Sequence, residues 1–176
     1  NRLGLEGIDS VAHWKDLATI GRAAHAMILA DLKNENFDAK DYTTRQVDRA
    51  ENGYIHWLDW RKGHKIEPIL LEVPLVSEKH QWGGTMDFYG KVDGRLDLAD
   101  YKTGSGIWPE HWLQSAGYFT ILGEHGYQVE GRRVLNVPRD EKEGFLEEVR
   151  LGPPKEEEVW ILVCLREIWA AQKKLR

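Results

Sequence analysis

The run Arg95-Leu96-Asp97-Leu98-Ala99-Asp100-Tyr101-Lys102 ends on a carboxylate and an ammonium two residues apart. Side chains of a β-strand alternate faces, so Leu96, Leu98, Asp100 and Lys102 are expected on one side. Two leucines would anchor that side, and its end would present an acid beside an amine. Burying such a pair is costly unless something uses it. Asp93-Gly94, just upstream, is a strong hairpin signal, and Gly84-Thr85-Met86-Asp87 lies on the incoming arm. Asp87 and Asp100 are nearly equidistant from that turn, which predicts that they face each other. Two carboxylates on neighbouring strands make an oxygen-rich pocket for a hard divalent cation such as Mg2+ or Mn2+. A cation there could polarise a phosphate, acidify a water and neutralise developing charge. Lys102 would orient or deprotonate the water, or stabilise the oxyanion. Standing alone, Asp-x-Lys on a strand is more often a surface ion pair worth little. The hairpin partner is what lifts it above that.

The elements that must position these groups can be read from periodicity. Leu17, Ile20, Ala24, Met27, Ile28 and Leu32 form one stripe, predicting a helix from Ser10 to about Lys33 capped by Asp9 or Ser10. After a polar break at Asn34 to Lys40, a second helix is expected from about Thr43 to Arg61. Tyr54, Trp57, Leu58 and Arg61 lie on its stripe, and Gly63 suits its end. Ile69 to Val76 is rich in β-formers, Gly83-Gly84 interrupts, and Thr85 to Val92 and Arg95 to Lys102 form the hairpin. Pro109 opens a helix reaching about His125. Arg132 to Val137 reads as a strand and Phe145 to Arg150 as a weaker one. After Pro153-Pro154, Glu156 to Glu158 begin a last helix ending in Lys173, Lys174 and Arg176, a charge order that suits the helix dipole. This order predicts a single α/β domain over residues 1–176, a mixed sheet with helices on its faces.

Five short motifs, in this order, resemble the RecB-type branch of the PD-(D/E)XK nuclease superfamily. Gly21-Arg22-Ala23-Ala24-His25 is similar to its Gly-x-x-x-His helix, and Glu72-Val73-Pro74 to its Glu-x-Pro strand. Gly84 to Asp87 resembles Gly-x-x-Asp, and Asp100-Tyr101-Lys102-Thr103-Gly104 resembles Asp-x-Lys-Thr-Gly. Gln114 to Tyr118 is similar to the Gln-x-x-x-Tyr helix that follows. The resemblance implies a restriction-endonuclease-like mixed central β-sheet flanked by helices, and a metal-dependent DNA nuclease using Mg2+ or Mn2+. It implies that His25, Asp87, Asp100 and the backbone carbonyl of Tyr101 ligate the metal, with Lys102 as the catalytic lysine. Gln114 and Tyr118, one turn apart on one helix face, would hold Lys102 or the DNA backbone. Glu72 would contribute near a second metal position. Some members of the branch hold an iron–sulfur cluster with four cysteines; with Cys164 alone, this chain is expected to resemble stand-alone exonuclease-type members from phage and bacterial recombination systems.

Composition narrows the field. The 176 residues, 41% apolar and 30% charged, suffice for one buried core. One cysteine excludes an internal disulfide, and Cys164 is expected as a small buried hydrophobe. Asn1 to Asp16 lacks the basic start and apolar block of a secretory leader, no stretch is long enough to span a membrane, and the expected compartment is the cytoplasm. The abrupt start at Asn1 suggests a fragment of a longer chain. The net charge of −5 argues mildly against coating DNA by electrostatics alone, though bound cations would invert the local field. Arg22, Arg45, Arg49, Lys79, Lys91, Arg132 and Arg133 are candidates for phosphate contacts. Most of the eight tryptophans are expected in the core, while Trp82 and Trp108 could stack on bases. DNA ends are the expected substrate, with a recombination protein or further copies of the chain as possible partners. An endonuclease, a catalytically silent DNA-binding module and a hydrolase of small phosphoesters are the alternatives. The intact Asp87, Asp100 and Lys102 speak against the silent module, and a closed pocket would mark the small-molecule enzyme.

Overall fold

Asp9 accepts from the amides of Val11 and Ala12 and so starts helix α1, Ser10–Lys33. Asn34, in the left-handed region at φ 55°, ends it. Thr43 and Gln46 form a reciprocal capping box that starts α2, Thr44–Lys62. Asp31 near the end of α1 accepts from Trp57 Nε1 and from Arg61, tying the two helices together. The computed structural model describes residues 9–175, so the last basic residue expected on the final helix, Arg176, and residues 1–8 lie outside it.

Five strands follow in an order that matches their sequence, β1 (Ile66–Ser77), β2 (Trp82–Val92), β3 (Arg95–Lys102), β4 (Gly131–Asn136) and β5 (Leu146–Leu151). All neighbours are antiparallel except β3 and β4, which run parallel and are joined through α3, Pro109–Glu124. Parallel neighbours need such a crossover, whereas the hairpins do not. Helix α4, Glu156–Lys173, follows β5. The expected α/β architecture is observed: a mixed sheet flanked by helices. Among the described residues no helix is long and apolar enough to cross a membrane.

The sheet separates two apolar clusters. On the α1/α2 side Ile28, Trp57 and Trp60 pack on Phe88, Ala99, Tyr101 and Leu135. On the α3 side Tyr118, Ile121 and Leu122 pack on Met86, Tyr89 and Leu98. A third cluster of Ile20, Ala23, Ala24, Met27 and Ala50 seals α1 against α2.

Several expectations need correction. Strands β1 and β2 begin three residues earlier than the sequence indicates. Gly83 and Gly84 do not interrupt β2, because they pair with Val76 and Leu75. Among the described residues only Trp57, Trp60 and Trp112 are buried tryptophans, and Trp14, Trp108, Trp160 and Trp169 are more than half exposed. Composition counts tryptophans without saying which helix face carries them. Cys164 is only partly buried, on α4. Arg132 and Arg133 are 2% and 5% exposed, locked in ion pairs with Glu158 and with Asp97 and Glu147, and cannot serve as surface contacts for phosphate.

Candidate active site

The site lies where β2 and β3 part. Their ladder runs from Val92↔Arg95 to Phe88↔Ala99 and then ends, although β2 continues back to Trp82. The same register carried one step further sets Asp87 across from Asp100, as the hairpin reading predicts. Asp87 closes the fork with its side chain: Oδ2 accepts the Tyr101 N–H at 2.8 Å. Its other oxygen, Oδ1, is 3.2 Å from His25 Nδ1 on α1.

Glu72 completes the arrangement by a departure from strand geometry. Leu70 packs with the α3-side cluster and Leu71 with the α1/α2-side cluster, so simple alternation would return Glu72 to the α3 side. Its φ is 52°, a left-handed conformation uncommon for a residue with a side chain. This kink brings its carboxylate into a group with His25 and Asp87 whose donor atoms all lie within 4.8 Å of one another. Strain of this kind persists where the surrounding structure over-determines it, often at functional sites. Two carboxylates and an imidazole are a donor set compatible with a divalent cation.

Asp100 sits next to this trio but outside it. It is 2% exposed, and Lys102 Nζ approaches its Oδ2 to 2.6 Å. That ammonium is the ion-pair partner of Oδ2, which has no further hydrogen-bond partner among the described residues. The lysine also donates to Gln114 Oε1 at 2.7 Å. Gln114 Nε2 donates to the Tyr118 hydroxyl at 3.1 Å, and that hydroxyl donates to the Thr85 carbonyl at 2.8 Å. A relay therefore runs from Lys102 through α3 back to the strand that carries Asp87. Gly84 is required for it, since a Cβ there would stand 2.8 Å from the Tyr118 ring.

Charge in this pocket is finely opposed. Burial and the neighbouring Asp87 push Asp100 up to about 6 against the pull of Lys102. Burial drives Asp87 the same way, but His25, the Tyr101 amide and Lys102 outweigh it and hold Asp87 below the usual carboxylate range. His25 is pulled down by burial, yet Asp87, Asp100 and Glu72 together leave it above the ordinary imidazole value. Burial and the charge of Asp87 raise Glu72.

The structure thus brings His25, Glu72 and Asp87 into one cluster, and sets Asp100, Lys102, Gln114 and Tyr118 into a connected set beside it. The Tyr101 side chain is 3% exposed, edge-on to His25 with ring centroids 5.9 Å apart. A groove of about 520 Å³ opens over the cluster, lined by Arg22, His25, Tyr42, Glu72, Asp87, Lys102 and Thr103 among others. Of the two tryptophans proposed to stack on bases, Trp82 is partly buried against His80 and Trp108 is 51% exposed. Sequence reasoning missed Arg139, which donates to the carbonyl of Thr103 at the groove's edge. A lone arginine after a strand gives no signal of its own.

The chain matches no protein-family profile and no curated protein. Among solved structures it is similar to a protein from Eubacterium rectale provisionally named an exonuclease, with a TM-score of 0.48 and 12% identity. The likeness covers 85% of this chain and 64% of the other, so this chain spans less than two thirds of that neighbour's length. At that distance the likeness says nothing about activity.

Proposed function

We propose that this chain is a metal-dependent nuclease of the RecB type that hydrolyses phosphodiester bonds in DNA, preferentially from DNA ends. The observation that carries the reading is the His25–Glu72–Asp87 cluster standing beside the Asp100–Lys102–Gln114 relay. His25, Glu72 and Asp87, with Asp100 and the Tyr101 carbonyl beside them, would hold a Mg2+ or Mn2+ ion. The buried Asp100 beside the trio and the left-handed Glu72 both fit that role. A cation so held supplies Lewis acidity toward a phosphate oxygen and acidifies a coordinated water.

The chain's own residues do the rest. Asp87 and Asp100 would keep the cation position next to Lys102. Lys102 would donate to the oxygen on which charge develops as water attacks phosphorus, and Gln114 and Asp100 together hold its ammonium in place. Tyr118 holds Gln114 in turn. The resemblance of the five motifs to RecB-type nucleases supports DNA as substrate; attack at ends is the preferred mode, with an endonuclease as the alternative. An open groove rather than an enclosed pocket speaks against a small phosphoester as the substrate.

The test is incubation with linear and with covalently closed circular DNA, in Mg2+, Mn2+ or EDTA. Metal-dependent loss of linear DNA with intact circles is expected. Nicked circles would assign an endonuclease, and no cutting of either form in any metal would overturn the reading.

Metal affinity should fall with acidity. His25 and Asp100 must be unprotonated to ligate, and both take up protons near or above pH 6 in the metal-free protein. Protons and cation therefore compete, so affinity declines as pH falls through the range where His25, raised above the ordinary imidazole value, and then Asp100, at about 6, take up protons. Titration of Mn2+ by calorimetry from pH 8 to pH 5 would check this, and a flat profile would exclude these two groups as ligands.

A further inference from the structure

We propose that Arg49 and Arg139 form a second anion site at the edge of the groove, which holds the DNA phosphate next to the one being cut. This rests on the nuclease reading above and extends it to substrate positioning.

Arg139 follows β4 and is pinned from both sides. Its Nη1 donates to the Thr103 carbonyl at 2.9 Å, and its backbone amide donates to the same oxygen at 3.4 Å. Its own carbonyl accepts from Asn52 Nδ2 of α2 at 3.2 Å. Thr103 directly follows Lys102 and lines the groove, so this guanidinium is anchored one residue from the proposed catalytic lysine. Arg49 lies one helical turn before Asn52, on the same face of α2. Burial, and after it the charge of Arg49, hold the Arg139 pKa below its usual value.

Two nearby guanidiniums repel, and a bound anion would offset that repulsion. Among the described residues neither Arg49 nor Arg139 takes part in an ion pair. Asp140 and Glu143 lie near enough to Arg139 to be felt, but neither contacts it as an ion-pair partner. Asp16, which feels Arg49, has its oxygens occupied by Arg45 and Gln46. Arg45 is thereby committed, and Arg132 and Arg133 are buried. What remains is Arg49 and an Arg139 whose Nη1 is committed to Thr103 but whose Nε and Nη2 make no hydrogen bond among the described residues, donors suited to a phosphate diester.

The test uses the full chain and a short fluorescent DNA duplex, with Ca2+ replacing Mg2+ to prevent cutting. Affinity is read by anisotropy across a salt series. Arg49→Gln and Arg139→Gln are each expected to weaken binding about ten-fold, the scale of a charge-assisted hydrogen bond. Each should also lower the slope of log affinity against log salt by about one. Arg139→Lys keeps the charge and should keep most of the slope, while losing affinity through the lost fork. If Arg139→Gln disturbs the Thr103 loop and unfolds the protein, Arg49→Gln carries the test alone. Wild-type affinity and slope in the Gln variants, in a protein that does cut DNA, would overturn this site and leave the nuclease reading intact. A wild-type chain that neither binds nor cuts DNA would overturn both.

Discussion

Lys102→Ala should lose DNA cleavage by about 10³-fold, a loss typical of removing one preorganised donor to a developing oxyanion. The lysine is not a free surface cation: its side chain is 19% exposed, 2.6 Å from Asp100 and hydrogen-bonded to Gln114. Its removal takes away the donor and leaves Gln114 Oε1 without its partner. It also takes a positive charge away from the ligand cluster, since Lys102 helps hold both Asp87 and Asp100 ionised. These consequences separate by pH. At pH 8 the acids stay charged without help, and loss of a nearby cation should leave metal affinity equal or tighter. Near pH 6 Asp100 protonates more readily in the variant, and metal affinity should fall below wild type. Single-turnover cleavage at saturating Mn2+, with calorimetric metal titration at both pH values, distinguishes a lost catalytic group from a lost ligand. Lys102→Met keeps most of the stem and should be as inactive as the alanine. Cleavage within ten-fold of wild type at pH 8 would remove Lys102 from the mechanism.

How far the sequence reveals this site depends on which residues obey strand periodicity. Asp100 and Lys102 do, so period two places them together and beside Leu98, which is buried on the α3 side. Asp87 was legible through the hairpin, because Asp93-Gly94 sets the register and the observed ladder keeps it. Glu72 was not legible from pattern. Its place in the cluster comes from a positive φ that nothing in Leu70-Leu71-Glu72-Val73 announces, and only the motif resemblance singled it out. His25 could be placed on an apolar helix face but not aimed, since its partner comes from a strand 62 positions away in sequence. The Lys102–Gln114–Tyr118 relay was half legible. An i, i+4 pair shares a helix face, but which strand that face meets depends on how α3 crosses from β3 to β4. The basic residues were the least legible. Arg132 and Arg133 look like a surface pair in the sequence and prove to be buried, because their acids come from distant elements.

Asp97→Ala should destabilise the fold by about 3–5 kcal/mol, the cost of breaking a buried ion pair by removing one partner. Asp97 is completely buried and serves two arginines at once. Arg95 reaches it through Nε at 2.7 Å and Nη2 at 2.9 Å, and Arg133 through Nη2 at 2.8 Å and Nε at 3.1 Å. Arg133 is 5% exposed, with Glu147 as its remaining acid and the face of Trp60 5.6 Å away. Without Asp97, its guanidinium stays out of water with half its charge compensation gone. At about 2–4 °C per kcal/mol for a chain of this size, the melting temperature should drop by roughly 10 °C. The penalty comes from the stranded charge more than from the cavity, and this has a consequence. Asp97→Leu combined with Arg133→Met should cost less than Asp97→Ala alone, because no buried charge is left behind. If the double variant is the less stable of the two, packing around Gly131 must dominate instead, where a Cβ would collide with the Asp97 carboxylate. Asp97 and Asp100 share one strand, three residues apart, yet the first clamps β3 to β4 while the second faces the proposed chemistry. Below its melting point Asp97→Ala should therefore still bind Mn2+, and loss of metal binding in the folded variant would show that the clamp sets the geometry of the fork.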